Sequence, residues 1–217
     1  MRDASGKTYE ETYDKLLLSP GAEPKKPQIE GIGQDGVFTL RTVPDTFRID
    51  EYIREKGVNS ALVAGGGFIG IEMAENLKRR GLNVTIAEFA DQVAAPFDKE
   101  MANILHRHLM EHGVELRLKA GISKIGKQGE ILAVTLTDGS VVKAGMILLS
   151  IGVTPESRIA EEAGLQLGLG GSILVDEYGC TSDPDIYAVG DAVEVHHLVD
   201  GKKALVPLAG PANKQGR

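Results

Sequence analysis

Three glycines and one acid carry the first chemistry that can be read from the chain. Gly65, Gly67 and Gly70 stand in the order GxGxxG within Ser60-Ala-Leu-Val-Ala-Gly-Gly-Gly-Phe-Ile-Gly-Ile-Glu-Met-Ala-Glu-Asn-Leu77. With that spacing a backbone can turn tightly at the first glycine, admit a phosphate at the second and pack helix on strand at the third. A short apolar run leads into the turn and an amphipathic stretch leaves it. The first N–H groups of a helix there would favour an anion. The candidate contacts are Gly65, Gly66, Gly67, Phe68, Ile69 and Gly70. Glu88 ends the next apolar run, about 18 residues past Gly70. A carboxylate in that place accepts hydrogen bonds from ribose hydroxyls and repels a 2'-phosphate, and no Lys or Arg falls between Glu88 and Asp98 to neutralise one. These residues together read as a dinucleotide site for NAD, with NADH preferred over NADPH. A glycine turn that only packs is the competing reading.

The elements that must hold these residues follow from the hydrophobic pattern. Strand Ala61 to Ala64 enters the turn, and Ile69, Met73 and Leu77 recur every four residues on one helical face. Strand Asn83 to Glu88, helix Lys99 to Glu111 and strand Val114 to Leu118 follow, and this alternation predicts a parallel sheet with helices on its faces. Upstream, a helix is expected over Thr46 to Glu55, ending near Gly57. From Ile122 to Val142 the pattern changes. Ile131-Leu-Ala-Val-Thr-Leu-Thr-Asp-Gly-Ser140 carries an Asp-Gly hairpin signal, an antiparallel hairpin or meander inserted in the α/β order. Met146 to Ile151 is continuously apolar, as a buried parallel strand would be. Near the start, Thr12 to Leu18 can form a strand that Ser19-Pro-Gly-Ala-Glu-Pro24 stops. Later come a short helix at Ser157 to Ala163 and strands at Ile173 to Val175 and Ile186 to Val189. The fold class is α/β and Rossmann-like. Residues 41–155 form its central domain, flanked by 1–40 and 156–217.

Composition narrows the partners. The 217 residues carry 42% apolar side chains, enough for a buried core, and a net charge of -7 that argues against nucleic acid or an anionic membrane as partner. One cysteine, Cys180, excludes an internal disulfide, and the N-terminal residues lack the apolar core of a signal peptide. A cytoplasmic location is expected, with no membrane span.

A second constellation stands at Thr181-Ser-Asp-Pro-Asp-Ile-Tyr-Ala-Val-Gly-Asp191, small apolar residues ending in Gly190 and Asp191. Together with Tyr13-Asp-Lys-Leu-Leu-Leu-Ser-Pro-Gly-Ala22, the Gly65 motif, Ser150-Ile-Gly-Val-Thr-Pro155 and Val206-Pro-Leu-Ala-Gly-Pro-Ala-Asn-Lys-Gln-Gly-Arg217, it resembles the FAD-dependent pyridine nucleotide-disulfide oxidoreductases. Within that family the likeness is to the coenzyme A disulfide reductase and NADH oxidase group, and its motifs cover nearly the whole chain. The resemblance implies that Asp191, beside Gly190, binds the ribityl chain of FAD. It implies further that Ser19, Pro20, Gly21 and Ala22 cross near the flavin. By the same likeness Gly152 lets the nicotinamide side of NAD approach the backbone, and Glu72 lies near nicotinamide and flavin, with an ordinary surface position as the alternative. The full-length enzymes of the family begin with their own FAD motif and a redox cysteine and end in a dimerisation domain. The chain is accordingly expected to be an internal fragment of a homodimeric enzyme: an NAD domain at 41–155 between two pieces of a discontinuous FAD domain.

No catalytic residue is assigned. Cys180 is read as a bystander thiol, since nothing basic adjoins it, and no metal site is expected. His106, His108 and His112 are read as one solvated helix face, and His196-His197 as part of a loop or hairpin. In a complete enzyme the implied reaction carries hydride from NAD(P)H to FAD and on to a disulfide, persulfide or oxygen. The chain alone is expected to bind NADH weakly, hold no tight FAD and not turn over. A self-sufficient NAD-dependent dehydrogenase and a noncatalytic NAD-sensing module are the alternatives.

Overall fold

Two short strands, β1 (Leu16–Leu18) and β2 (Ala22–Pro24), flank a turn at 19–21 in which Gly21 takes a positive φ of 75°. They open the described part of a computed structural model, residues 5–217. Then β3 (Val37–Thr39), α1 (Val43–Lys56), β4 (Ser60–Ala64), α2 (Phe68–Arg79), β5 (Asn83–Glu88), α3 (Lys99–Glu111) and β6 (Val114–Leu118) alternate. An antiparallel meander follows, β7 (Ile122–Gln128), β8 (Ile131–Leu136) and β9 (Val141–Ala144), and β10 (Met146–Leu149) returns beside β4. The remainder holds β11 (Val153–Pro155), α4 (Arg158–Glu162), β12 (Ile186–Ala188), a small hairpin of β13 (Val195–His196) and β14 (Lys203–Ala204), and α5 (Ala209–Gln215).

The chain divides into two compact units, one of residues 24–153 and one of residues up to 23 together with 154–217. The first division therefore falls well before residue 41. Residues 24–40 belong with the central unit because β3 pairs with β10 and Ile29 and Ile32 pack on its core. The second falls at 153/154 rather than 155/156.

In the central unit five parallel strands run in the order β3-β10-β4-β5-β6. The chain leaves β4 toward β5 and later returns through β10 on the other side, so the strand order reverses at β4. In open α/β sheets that crevice, outside the carboxyl ends of the strands, is where ligands bind. Alternation along β4 sends Ala61 and Val63 to one face and Leu62 and Ala64 to the other. Ile49 and Ile53 of α1, Ala74 and Leu77 of α2 and Leu109 of α3 cover the first face. Ile125, Leu132, Val134, Leu136 and Ala144 of the meander cover the second. All four residues of β10 are buried, as a strand sandwiched on both faces requires.

The elements β5, α3 and β6 fall where their periodicity places them. Helix α1 starts earlier than expected, because the Asp45 carboxylate accepts hydrogen bonds from the N–H (2.7 Å) and hydroxyl (2.8 Å) of Thr42 and closes a cap there. Those hydrogen bonds, from Thr42 first, hold the Asp45 carboxyl down at about 2. Gly57 ends the helix with φ 59°. Helix α2 differs in its packing face. Gly70, Ala74 and Leu77 are buried while Ile69 is exposed, since only a hydrogen side chain fits where the first turn meets the glycine loop.

In the second unit β1 pairs in parallel with β12, and Leu18, Ala160, Leu165, Ile173, Ile186 and Val193 form its core. The strand expected at Ile173 to Val175 is reduced to single bridges from Ile173 to Leu167 and Val193. The flanking N–H groups of Leu174 and Asp176 turn instead to Gln166 and Cys180.

Candidate functional site

The glycine turn is built by close approaches that only glycine permits. Gly65 leaves β4 at φ 107°, and a Cβ there would lie 2.3 Å from the Ser150 carbonyl oxygen. At Gly70 a Cβ would lie 2.0 Å from the Gly65 carbonyl oxygen, which is what draws the start of α2 onto the strand end. Ser150, at the end of β10, fastens the junction: its hydroxyl is 3.0 Å from the carbonyl oxygens of both Ala64 and Gly65. Gly67 is the opposite case, exposed and with nothing within 4 Å of the place a Cβ would take. It caps α2, whose first backbone bond runs from Ile71 N–H to the Gly67 oxygen at 3.0 Å. The N–H groups of Phe68, Ile69 and Gly70 precede that bond and, as in any helix, have no carbonyl of their own turn to meet. No acidic side chain stands in the first turn. Open space at Gly67 beside a helix start is a cradle that fits a pyrophosphate.

Glu88 lies beside this turn, half-buried, with both oxygens engaged. One accepts the Gly66 N–H at 2.6 Å and the other the Ala90 N–H at 2.7 Å. Each carboxylate oxygen has a further lone pair, so the group retains capacity for ribose hydroxyls.

Sequence reasoning missed the strap that follows β5. Ala94 N–H donates to the Gly66 oxygen at 2.8 Å, and Val93 packs on Gly66, its Cγ1 2.7 Å from the place of a Cβ. Val93 N–H in turn donates to His106 Nε2 at 3.0 Å. His106 is therefore not on the solvated face with His108 and His112: it is buried at 8% exposure and turned toward the strap, while the other two are exposed. Burial, then the charge of Lys99, push its pKa below the ordinary 6.5, with Asp91 acting the other way. An i,i+4 histidine pair draws the eye, but His106 lies two positions before His108, on the side of α3 shared with buried Ala102 and Leu109.

The other candidates in this unit lie near the same end of the sheet or on α2. Gly152, past β10, is exposed at φ 108°, and its oxygen accepts the Lys25 N–H at 3.0 Å. Glu72 is exposed in the second turn of α2, and its backbone oxygen accepts the Asn76 side-chain amide.

In the other unit two candidate groups come together. Leu18 pairs with Ala188 in the parallel ladder, and Val189 N–H donates to the Leu18 oxygen at 3.0 Å. Ser19, Pro20, Gly21 and Ala22 therefore leave β1 beside the point where Gly190 and Asp191 leave β12, both at carboxyl ends of strands. Gly190, at φ 84°, is held by α5, where Gln215 Oε1 accepts its N–H at 2.7 Å. Asp191 sits half-buried in a single 3-10 turn, and nothing lies within 4 Å of the place a Cβ would take at Gly21. That pairing of a small-residue turn with a carboxylate fits a polyhydroxylated chain. In the same unit, buried Glu194 bridges Lys203 Nζ and Leu169 N–H, each at 2.8 Å. Cys180 is half-buried in the 176–180 turn, and His196 and His197 lie in the exposed β13–β14 hairpin. No helix among the described residues is long and apolar enough to cross a membrane.

A family model described as pyridine nucleotide-disulphide oxidoreductase matches residues 1–216. Among curated proteins, a NADH oxidase of Methanocaldococcus jannaschii is 41% identical over 216 residues, 99% of this chain and 48% of that protein. Among solved structures, the reduced CoADR-RHD of Bacillus anthracis matches with a TM-score of 0.94 and 51% identity over 98% of this chain and 38% of its own. A NAD-dependent persulfide reductase from A. fulgidus matches with a TM-score of 0.89 and 43% identity, over 94% of this chain and 38% of its own. The chain spans about half the length of the curated relatives it matches.

Proposed function

The chain belongs to the pyridine nucleotide-disulphide oxidoreductase family, and from that premise we propose that it forms the NADH platform and part of the flavin pocket of an FAD-dependent oxidoreductase. The observation that carries this reading is the contrast within one turn. Gly65 and Gly70 are closed by backbone atoms at 2.3 and 2.0 Å, while Gly67 faces open space at the start of α2. The close pair builds the turn, and Gly67 with the N–H groups of Phe68, Ile69 and Gly70 receives the pyrophosphate. Glu88, fixed by Gly66 and Ala90, accepts the adenosine ribose hydroxyls with its free lone pairs and repels a 2'-phosphate, so NADH is held more tightly than NADPH. Gly152 gives the nicotinamide end room against backbone, and Glu72 supplies an acid on that side of α2.

In the other unit Asp191 and Gly190, with Ser19, Pro20, Gly21 and Ala22, hold the ribityl end of FAD. A flavin bound there supplies two-electron redox chemistry between NAD(P)H and a disulfide, persulfide or oxygen acceptor. This chain's residues orient the dinucleotide and grip the sugar chain. The working enzyme is a cytoplasmic homodimer in this reading.

The test is a titration of the chain with NADH and with NADPH, followed by nicotinamide fluorescence, with and without added FAD. NADH binding at least about tenfold tighter than NADPH is expected from one uncompensated charge repulsion beside Glu88. Equal affinities would remove Glu88 from its role, and a preparation that is yellow as isolated would show a far more complete flavin site than is proposed.

A further inference from the structure

The Gly66–Gly67 peptide is held in one orientation, and the hold runs back to a buried imidazole. Ala94 N–H fixes the Gly66 oxygen at 2.8 Å, and because a trans peptide sets C=O and N–H on opposite sides, the Gly67 N–H is directed away from the strap. That is the open, exposed side of the turn. The strap is itself constrained. Ala94 is buried with φ 50°, a conformation a residue with a Cβ keeps only when its surroundings impose it. Phe97 N–H closes on the Ala94 oxygen at 2.8 Å, Gln92 Nε2 on the Phe97 oxygen at 2.8 Å, and the Phe97 ring meets the Phe68 ring edge-on at 6.0 Å. Lys119 N–H holds the Ala90 oxygen at 2.8 Å. Toward α3 the strap is tied by Val93 N–H on His106 Nε2. The donor is a backbone N–H, so Nε2 must be unprotonated and the ring neutral, with its proton on Nδ1.

We propose that His106 is a positioning residue for the dinucleotide: neutral, it holds the strap that aims the Gly67 N–H at the pyrophosphate, and protonated, it releases Val93 and loosens that aim. The proposal rests on the reading of the glycine turn as the dinucleotide site. The charged groups that act on the ring are Lys99 of its own helix and Asp91 of the strap, which are paired with each other. Glu88, on β5, also packs at Gly66, where a Cβ would come within 3.3 Å of its oxygen as well as meet Val93, and is committed to backbone N–H groups. His108 and His112 are exposed, and their rings meet at a tilt, centroids 4.2 Å apart. Acid therefore acts on the turn through His106, whose proton removes the acceptor of a buried backbone donor.

The experiment follows amide resonances of the chain between pH 5 and 8, alongside NADH titrations over the same range, for the natural protein, His106→Gln and His106→Leu. Gln places an acceptor oxygen at about the reach of Nε2 and does not titrate. The expected result is that the Val93 and Gly67 amides move with the His106 proton and that NADH affinity falls about tenfold across the same midpoint, the loss typical of one orphaned buried donor. H106Q should bind NADH as the natural protein does at pH 7.5 and keep that affinity in acid. H106L should bind weakly at every pH with an unchanged circular dichroism spectrum. A Gly67 amide that stays still while His106 titrates, or an H106Q protein as acid-sensitive as the natural one, overturns the role of His106 while NADH binding stands. NADH that binds at no pH overturns the reading of the turn itself, whatever the amides do.

Discussion

Gly66 donates its backbone N–H to Glu88 Oε2 at 2.6 Å, so the acid that ends β5 is fastened to the turn that ends β4. The same peptide segment offers its oxygen to Ala94 on the other side. Gly66, a candidate dinucleotide contact that occupies a free position of the GxGxxG pattern, is thus the point at which two neighbouring strands and the strap between β5 and α3 are joined. Its task also explains its smallness: a methyl would meet Val93 at 2.7 Å and the Glu88 carboxylate at 3.3 Å.

Glu88→Gln tests this joint and the nucleotide preference together. A carboxylate accepts from Gly66 and Ala90 at once, whereas an amide has one accepting oxygen and must turn an N–H toward one of two backbone donors. NADH affinity should fall by about tenfold or more, the scale of a lost charge-assisted hydrogen bond, and thermal stability should fall with it. NADPH should lose less, because the negative charge opposing its 2'-phosphate is gone. Paired titrations of the natural and variant chains read the ratio of the two affinities. A ratio left unchanged would separate Glu88 from nucleotide choice.

Gly70→Ala and Gly67→Ala should fail in opposite ways. At Gly70 the added methyl runs into backbone at 2.0 Å and into the Ser150 hydroxyl at 2.8 Å, so α2 must shift away from β4. Overpacking of that kind costs about 1–3 kcal/mol or more, visible in a denaturant midpoint. Gly67 has φ -74° and open space, so Ala is tolerated by the fold. Its methyl instead stands where the pyrophosphate must approach. The expected result is a G67A chain of natural stability that binds NADH at least about tenfold more weakly, a separation that a turn serving only for packing would not show.

The alternation of strands and helices from Ala61 to Leu118 was legible because each element carries its own period and stop signal, as β5, α3 and β6 show. Gly65 and Gly70 were legible because their steric demands leave glycine as the residue that satisfies them, and Gly67 through its place between them in the GxGxxG order. What escaped depends on distant partners. His106 resembles any helical histidine until Val93, thirteen residues away, brings an N–H to it. The start of α1 hung on a side chain at Asp45 reaching back to Thr42, and the placement of residues 24–40 on a strand, β3, that gains its partner only when β10 arrives. The turn at Ser19 to Ala22 and the turn at Gly190 and Asp191 could be matched to a family pattern, but their neighbourhood follows from the β1–β12 ladder, whose strands are separated by most of the chain.

Glu194 escaped for the same reason, and it gives the sharpest test in the second unit. Its side chain is 5% exposed and joins Lys203 of β14 to the 3-10 turn beginning at Leu169, directly behind Gly168, where a Cβ would come within 2.6 Å of its oxygen. The Lys203 ammonium first, and the Leu169 N–H second, hold its carboxyl below the ordinary 4.5. A carboxyl depressed on folding stabilises the native state fully above the unfolded value and loses that contribution as pH falls through the folded one. Glu194→Gln keeps the shape and the hydrogen bond to Leu169 but removes the charge facing Lys203. At pH 7 the variant should unfold more easily by on the order of 1–2 kcal/mol, modest because Lys203 is more than half exposed. As pH is lowered below about 4.5 the natural protein should lose stability toward the variant, and the two unfolding curves should converge. Denaturant midpoints measured for both chains at pH 7, 5 and 3.5 check this; a gap undiminished between pH 7 and 3.5 would assign the stabilisation to packing of the side chain rather than to its charge.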